Sequence, residues 1–166
     1  MVVLIVLLAT FALSILIRRI RSQPVNYRVC GRIALSAMFL FAGISHFLLA
    51  DGMVKMLPQF LPFRYPIVYV TGLIEIAFSL GFLLPKYFQL TGILAIAFLI
   101  AVFPSNVYAA LNAVDFGGNV AGPIYLLFRV PMQVFLIVWV WVSSDTVDEL
   151  NKREIFAVLI REIDGI

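Results

Sequence analysis

Residues 66–111 of the chain read PIVYVTGLIEIAFSLGFLLPKYFQLTGILAIAFLIAVFPSNVYAAL, two long apolar segments separated by Pro85 and Lys86. Each segment is long enough to cross a hydrocarbon core of about 30 Å, because an α-helix rises about 1.5 Å per residue. Three more apolar segments lie at 1–17, 33–50 and 124–143. The pattern therefore predicts an all-α membrane protein with five spans.

The overall composition agrees with a lipid environment. Of the 166 residues, 63% are hydrophobic and 13% are charged, whereas soluble domains have about 45–50% and about 25%. The net charge of +3 does not indicate nucleic-acid binding, since the basic residues flank apolar spans and form no patch interleaved with aromatic residues. Cys30 and His46 are the only residues of their types, so we expect no intrachain disulfide and no metal site.

The chain divides into three parts. Residues 1–20 form an N-terminal transmembrane anchor, because the arginines follow the apolar run and no basic region precedes it as in a signal peptide. Residues 28–143 form a four-helix transmembrane bundle. Residues 144–166 begin with a capping box, Thr146 and Glu149, and continue as an amphipathic helix on the cytoplasmic surface or packed on a partner.

Basic residues are distributed unequally between the two sides of the predicted bundle. Nine lie on one side and three on the other, so the positive-inside rule places the N-terminus outside and the C-terminus in the cytoplasm. The cytoplasmic group is Arg18, Arg19, Arg21, Arg28, Arg32, Lys86, Lys152, Arg153 and Arg161; the outer group is Lys55, Arg64 and Arg129.

The longest connection between spans is residues 51–65, DGMVKMLPQFLPFRY. Pro58 and Pro62 lie among apolar residues there and prevent a long helix. We expect an interfacial or re-entrant lid on the outer side.

A few polar residues interrupt the apolar spans, and ionisable groups at that depth are costly, at about 2.5–3.5 kcal/mol or more. Because successive spans alternate in direction, all of these residues fall within roughly 6–14 Å of the outer boundary at about 1.5 Å per residue. They form a polar layer and are the candidate ligand-binding residues: His46, Glu75, Asn106, Arg129 and Gln133.

Two interpretations of this layer remain open. Glu75 and Arg129 are expected to face each other across the bundle, either around a ligand or only as an ion pair that fixes the packing. In the second case His46 hydrogen-bonds a main-chain carbonyl. Below the layer, the small-residue pairs Ala77 with Gly81 and residues 97 with 101 are expected to allow close helix packing.

Four segments resemble the DoxX and DoxX-like family of small bacterial membrane proteins. They are GRIALSAMFLFAGISHF (31–47), MVKMLPQFLP (53–62), GLIEIAFSLGFLLP (72–85) and FPSNVYAAL (103–111), and the resemblance covers roughly residues 28–143. It implies a four-helix core in the bacterial inner membrane, with His46, Glu75 and Asn106 as pocket residues. Family members are associated with oxidoreductase complexes, among them a thiosulfate-oxidising quinone reductase and a mycobacterial thiol-stress complex, and animal relatives are receptor assembly chaperones.

We therefore expect a binding protein for a quinone, a lipid or a similar amphipathic molecule, acting as a subunit of a membrane redox system with another membrane or redox protein. Glu75 and His46 would exchange protons, while Arg129 and Asn106 would donate hydrogen bonds. Two alternatives stay open: a membrane-protein assembly chaperone or scaffold, and an intramembrane enzyme resembling sterol isomerases, with a carboxylic acid and a histidine moving protons on a lipid.

Overall fold

The computed structural model describes residues 2–144, which are 82% helical and contain no strand. The predicted surface helix at 144–166 lies outside the described residues except for Ser144. A 3₁₀ helix, Asn119–Tyr125, precedes the last long helix. The α-helices are α1 (Val2–Ile20), α2 (Tyr27–Leu48), α3 (Ala50–Lys55), α4 (Arg64–Leu83), α5 (Phe88–Leu111) and α6 (Leu126–Ser144).

Five of the helical segments within residues 2–144 are long and apolar enough to cross a membrane, as the sequence predicts. The largest difference in bounds is at α2, which begins at Tyr27 and not near Ile33. Its N-cap is Asn26, whose side-chain oxygen accepts hydrogen bonds from the main-chain N–H groups of Arg28 (3.1 Å) and Val29 (3.2 Å). This capping satisfies donors that a helix start otherwise leaves open, so α2 begins six residues before the predicted apolar segment 33–50.

Helices α2, α4, α5 and α6 pack as a closed ring. Helix α2 contacts α4 and α6, and α5 contacts the same two helices. Aromatic side chains fill the ring: the Phe39 ring lies 5.6 Å from Phe78, which lies 5.5 Å from Phe98, measured between centroids. Helix α1 packs outside the ring on α2, with Leu7 fully buried.

Connections at one end of the ring, here named the α3 end, consist of residues 49–63 and 112–125. Helix α3 packs on α4 through Val54 and Val68, and the Tyr65 hydroxyl donates a 2.8 Å hydrogen bond to Asp51. A Cβ on Gly52 would overlap the Phe116 ring, so the two connections touch. The segment predicted as a lid is thus a short helix followed by turns, folded onto α4.

Of the small residues predicted to allow close helix packing, only Gly81 lies at a contact between helices. Gly81 contacts Thr91 of α5, which agrees with a close approach of α4 and α5 there. Ala77, Ala97 and Ala101 are exposed on the outer surface, so the prediction for those three was wrong. Small side chains at helical spacing show that one face of a helix could pack closely. They do not show whether that face is turned toward a neighbouring helix or toward the outer surface.

Candidate functional site

His46, in the last turn of α2, is the centre of the first polar pair. Its Nδ1 lies 2.8 Å from the carbonyl oxygen of Val68 and 3.1 Å from the Thr71 hydroxyl oxygen on α4. Its Nε2 lies 3.3 Å from Oε2 of Glu75. The carbonyl bond is the one expected for a histidine with a packing role, but here the second nitrogen meets a carboxyl group as well.

The Val68 carbonyl determines which nitrogen of the neutral imidazole carries the hydrogen. A carbonyl oxygen can only accept, so Nδ1 carries a hydrogen and donates it to Val68. Nε2 can then accept a proton from the Glu75 carboxyl group, or donate one to it when the imidazole is doubly protonated. The geometry therefore allows a proton to pass between the two side chains.

The Glu75 carboxyl group keeps unused hydrogen-bonding capacity. Oε2 is buried, and its contact with His46 is poorly aligned, so this oxygen has no hydrogen-bond partner among residues 2–144. Buried polar atoms without a partner are uncommon in native structures and require an explanation. A ligand that donates to Oε2 is one such explanation.

Glycines set the distance between α2 and α4 at this pair. A Cβ on Gly43 would lie 2.8 Å from the Gly72 carbonyl oxygen, and a Cβ on Gly72 would lie 2.5 Å from Cβ of His46. Neither position has room for a side chain, so the two backbones approach each other closely. The sequence analysis did not identify these two glycines. A signal was present, because each glycine lies three residues before an ionisable side chain: Gly43 before His46, and Gly72 before Glu75.

Arg129 and Asn106 form the second polar pair, between α6 and α5. The Arg129 guanidinium donates a 2.6 Å hydrogen bond to Oδ1 of Asn106, and Nδ2 of Asn106 donates to the Val102 carbonyl at 3.2 Å. Because its oxygen and its NH₂ group are both engaged, Asn106 orients the guanidinium. Asn106 is therefore a positioning residue, and Arg129 is the donor with spare N–H groups.

Gln133 is one turn further along α6 and has a different environment. Its Nε2 donates a 2.7 Å hydrogen bond to the Leu99 carbonyl of α5, and the residue is buried. This bond ties α6 to α5 and accounts for the polar side chain by packing alone.

The predicted contact between Glu75 and Arg129 is not formed as a direct ion pair in the part of the chain that the structure describes. The reason is the rotation of α4, which turns Glu75 toward α2 together with Gly72 and Ser79, three residues before it and four residues after it. Ser79 bonds Ser36 of α2 at 3.0 Å. The polar residues thus form two separate pairs, one between α2 and α4 and one between α5 and α6.

The two pairs lie in the same half of the ring. Phe78 and Phe98 are in ring contact, and α4 and α5 run in opposite directions. Glu75 is about one turn from Phe78, and Asn106 about two turns from Phe98, both toward the α3 end. Within residues 2–144 no three His, Cys, Asp or Glu side chains group as metal ligands.

These observations define an all-helical protein with five helices that could span a membrane and with two polar pairs on the same side of the Phe78–Phe98 contact, toward the α3 end. The chain belongs to the family described as a domain of unknown function, DUF8561, which matches residues 35–144. All five candidate residues fall within that match, and α1 precedes it. No curated protein and no solved structure matches the chain.

Proposed function

We propose that this chain is a DoxX-like protein of the bacterial inner membrane that binds a quinone or a similar amphipathic small molecule, as a subunit of a membrane redox system. The ligand head group would lie between the two polar pairs, with its apolar part among the surrounding helices. The observation that carries the proposal is the contact between the ionisable side chains of His46 and Glu75, with a buried carboxyl oxygen that has no hydrogen-bond partner among residues 2–144.

The chemistry of a quinone matches what the two pairs offer. Its carbonyl oxygens accept hydrogen bonds, which the unused N–H groups of Arg129 can donate, and its reduced form carries hydroxyls that can donate to Glu75. Reduction to the quinol takes up two electrons and two protons, and the His46–Glu75 pair would pass the protons from water to the quinone oxygens one at a time. The electrons would come from the partner in the redox system.

Binding of decylubiquinone to the purified protein in detergent micelles tests this proposal. Glu75→Gln and His46→Gln each keep the size of the side chain but disrupt the pair, and each is expected to weaken binding about tenfold, the effect of one lost hydrogen bond to a charged or proton-sharing group. Asp51→Asn is the matched control, because Asp51 is an exposed carboxylate at the same end of the ring. Unchanged affinity in Glu75→Gln, with normal binding in the control, would falsify the proposal.

The proposed orientation places the α3 end outside the cell and the opposite end in the cytoplasm. In intact bacteria, Asp115→Cys in the α3-end connection should react with a membrane-impermeant maleimide. Lys86→Cys, in the connection at the other end, should react only after permeabilisation. Native Cys30 is fully buried and gives little background; labelling of position 86 in intact cells would reverse the orientation.

A further inference from the structure

Arg129 is a cation without a balancing anion in the region that the structure describes. Its hydrogen-bond partner is the neutral Asn106, and no carboxylate of residues 2–144 lies within ion-pair distance of it. Glu75 is the only acidic residue within the five candidate spans, since Asp51 and Asp115 lie in connections. Glu75 is held by His46 on the other side of the ring.

Glu75 is not the ion-pair partner of Arg129, because its carboxyl group lies against His46 of α2, 3.3 Å from Nε2. The Arg129 guanidinium therefore has no carboxylate partner of its own among residues 2–144, and a guanidinium keeps its charge even in apolar surroundings. Charges within membrane helices are normally paired.

The geometry at Arg129 is that of a prepared anion site. Asn106 is 7% exposed, and its side chain is fixed by its own bond to Val102. It holds one N–H of the guanidinium, while the remaining donors of the planar fork are available. A fork of this kind fits the paired oxygens of a carboxylate or phosphate better than a single carbonyl.

We propose that the ligand of this site carries an oxyanion, a carboxylate or a phosphate, which Arg129 binds in the orientation set by Asn106. This inference rests on the proposed function, because it names the charge class of the same amphipathic ligand. The ligand would span the ring, with its oxyanion at Arg129 and a proton-exchanging group at Glu75. The same oxyanion chemistry could be part of an acyl-chain amphiphile or lipid, or be a free anion.

The test compares amphiphiles that share one chain and differ in charge: dodecyl phosphate, dodecanoate and neutral dodecanol. The purified protein is expected to bind the better of the two oxyanions at least about tenfold more tightly than dodecanol, because charge-assisted hydrogen bonds are about twice as strong as neutral ones. Arg129→Gln should abolish the preference. Arg64→Gln, which removes another positive charge at the α3 end, should retain it.

Two further variants separate binding from folding. Arg129→Lys keeps the charge without the planar fork, and Asn106→Leu keeps the arginine without its orienting partner, so each should retain part of the preference. The comparison of the three amphiphiles on the native protein does not depend on whether any variant folds. No preference there, a preference that persists in Arg129→Gln, or an equal loss in Arg64→Gln would each overturn the inference.

Competition with inorganic phosphate identifies the source of the anion. Displacement of dodecyl phosphate by millimolar phosphate would indicate a free-anion site, and failure to displace it would indicate that the acyl chain is recognised too. Binding of decylubiquinone without any oxyanion preference would overturn only this inference. Absence of binding by decylubiquinone and all three amphiphiles would overturn the proposed function as well.

Discussion

Gly43→Ala should destabilise the helical ring by about 1–3 kcal/mol, the usual cost of overpacking a tight interior contact. The new methyl group would lie 2.8 Å from the Gly72 carbonyl oxygen and 3.1 Å from the main-chain nitrogen of Ile76. Those are backbone atoms of α4, so α2 and α4 must move apart. The loss would occur although alanine favours helices by about 1 kcal/mol over glycine.

The same displacement should move His46 away from Glu75, so decylubiquinone binding is expected to fall together with stability. Unfolding of the purified protein in detergent, by heat or by added denaturing detergent, measures the first effect. Ala77→Val is the matched control, since it adds methyl groups to the exposed surface of α4. Equal stability losses in Gly43→Ala and Ala77→Val would show that the α2–α4 contact is not tight.

Sequence reasoning identified the spans well because their signal is local. An apolar run of sufficient length must satisfy its own backbone in lipid, and a helix does this without help from other segments. The start of α2 was missed because it depends on one side chain, Asn26, which caps a turn that contains Arg28 and is otherwise typical of a linker.

The polar layer could be predicted because depth is also a local quantity. Counting residues from the ends of antiparallel spans placed His46, Glu75, Asn106 and Arg129 at similar levels, and the structure places the two pairs in the same half of the ring. The pairing could not be predicted in this way. It depends on the rotation of each helix about its axis, which the Gly72 contact determines in α4.

Gln133 also shows that depth alone does not identify a binding residue. Its depth makes it a candidate, but its side chain donates to the Leu99 carbonyl and stabilises the α5–α6 contact. Gln133 lies one helical turn after Arg129, so both side chains are on the same face of α6. This spacing is the same whether the side chain binds a ligand or forms a hydrogen bond between helices.

A chaperone or scaffold with this fold would use the same polar residues only to hold its helices together. In that case the ionisable pair between α2 and α4 would resemble the hydrogen bond between Ser36 and Ser79, deeper in the same contact. The two functions therefore differ in what happens when a polar pair is replaced as a whole, which a double-mutant cycle measures.

His46→Leu should destabilise the protein by about 1–3 kcal/mol, because it leaves the buried carboxyl group of Glu75 without its one close partner. Adding Glu75→Leu should recover most of that loss, since replacing both members of a buried pair with apolar residues is often neutral or stabilising. Glu75→Leu alone should cost less than His46→Leu, because His46 retains its bond to Val68.

Ligand binding should follow the opposite pattern to stability. The double variant is expected to fold and yet not bind decylubiquinone, since both proton-exchanging side chains and the free carboxyl oxygen are gone. Ser36→Ala combined with Ser79→Ala removes the other polar pair of the same two helices and should leave binding within about twofold, because surface and structural changes away from a site rarely alter its contacts. A His46→Leu and Glu75→Leu double variant that binds as well as the native protein would assign the pair to packing and favour the scaffold.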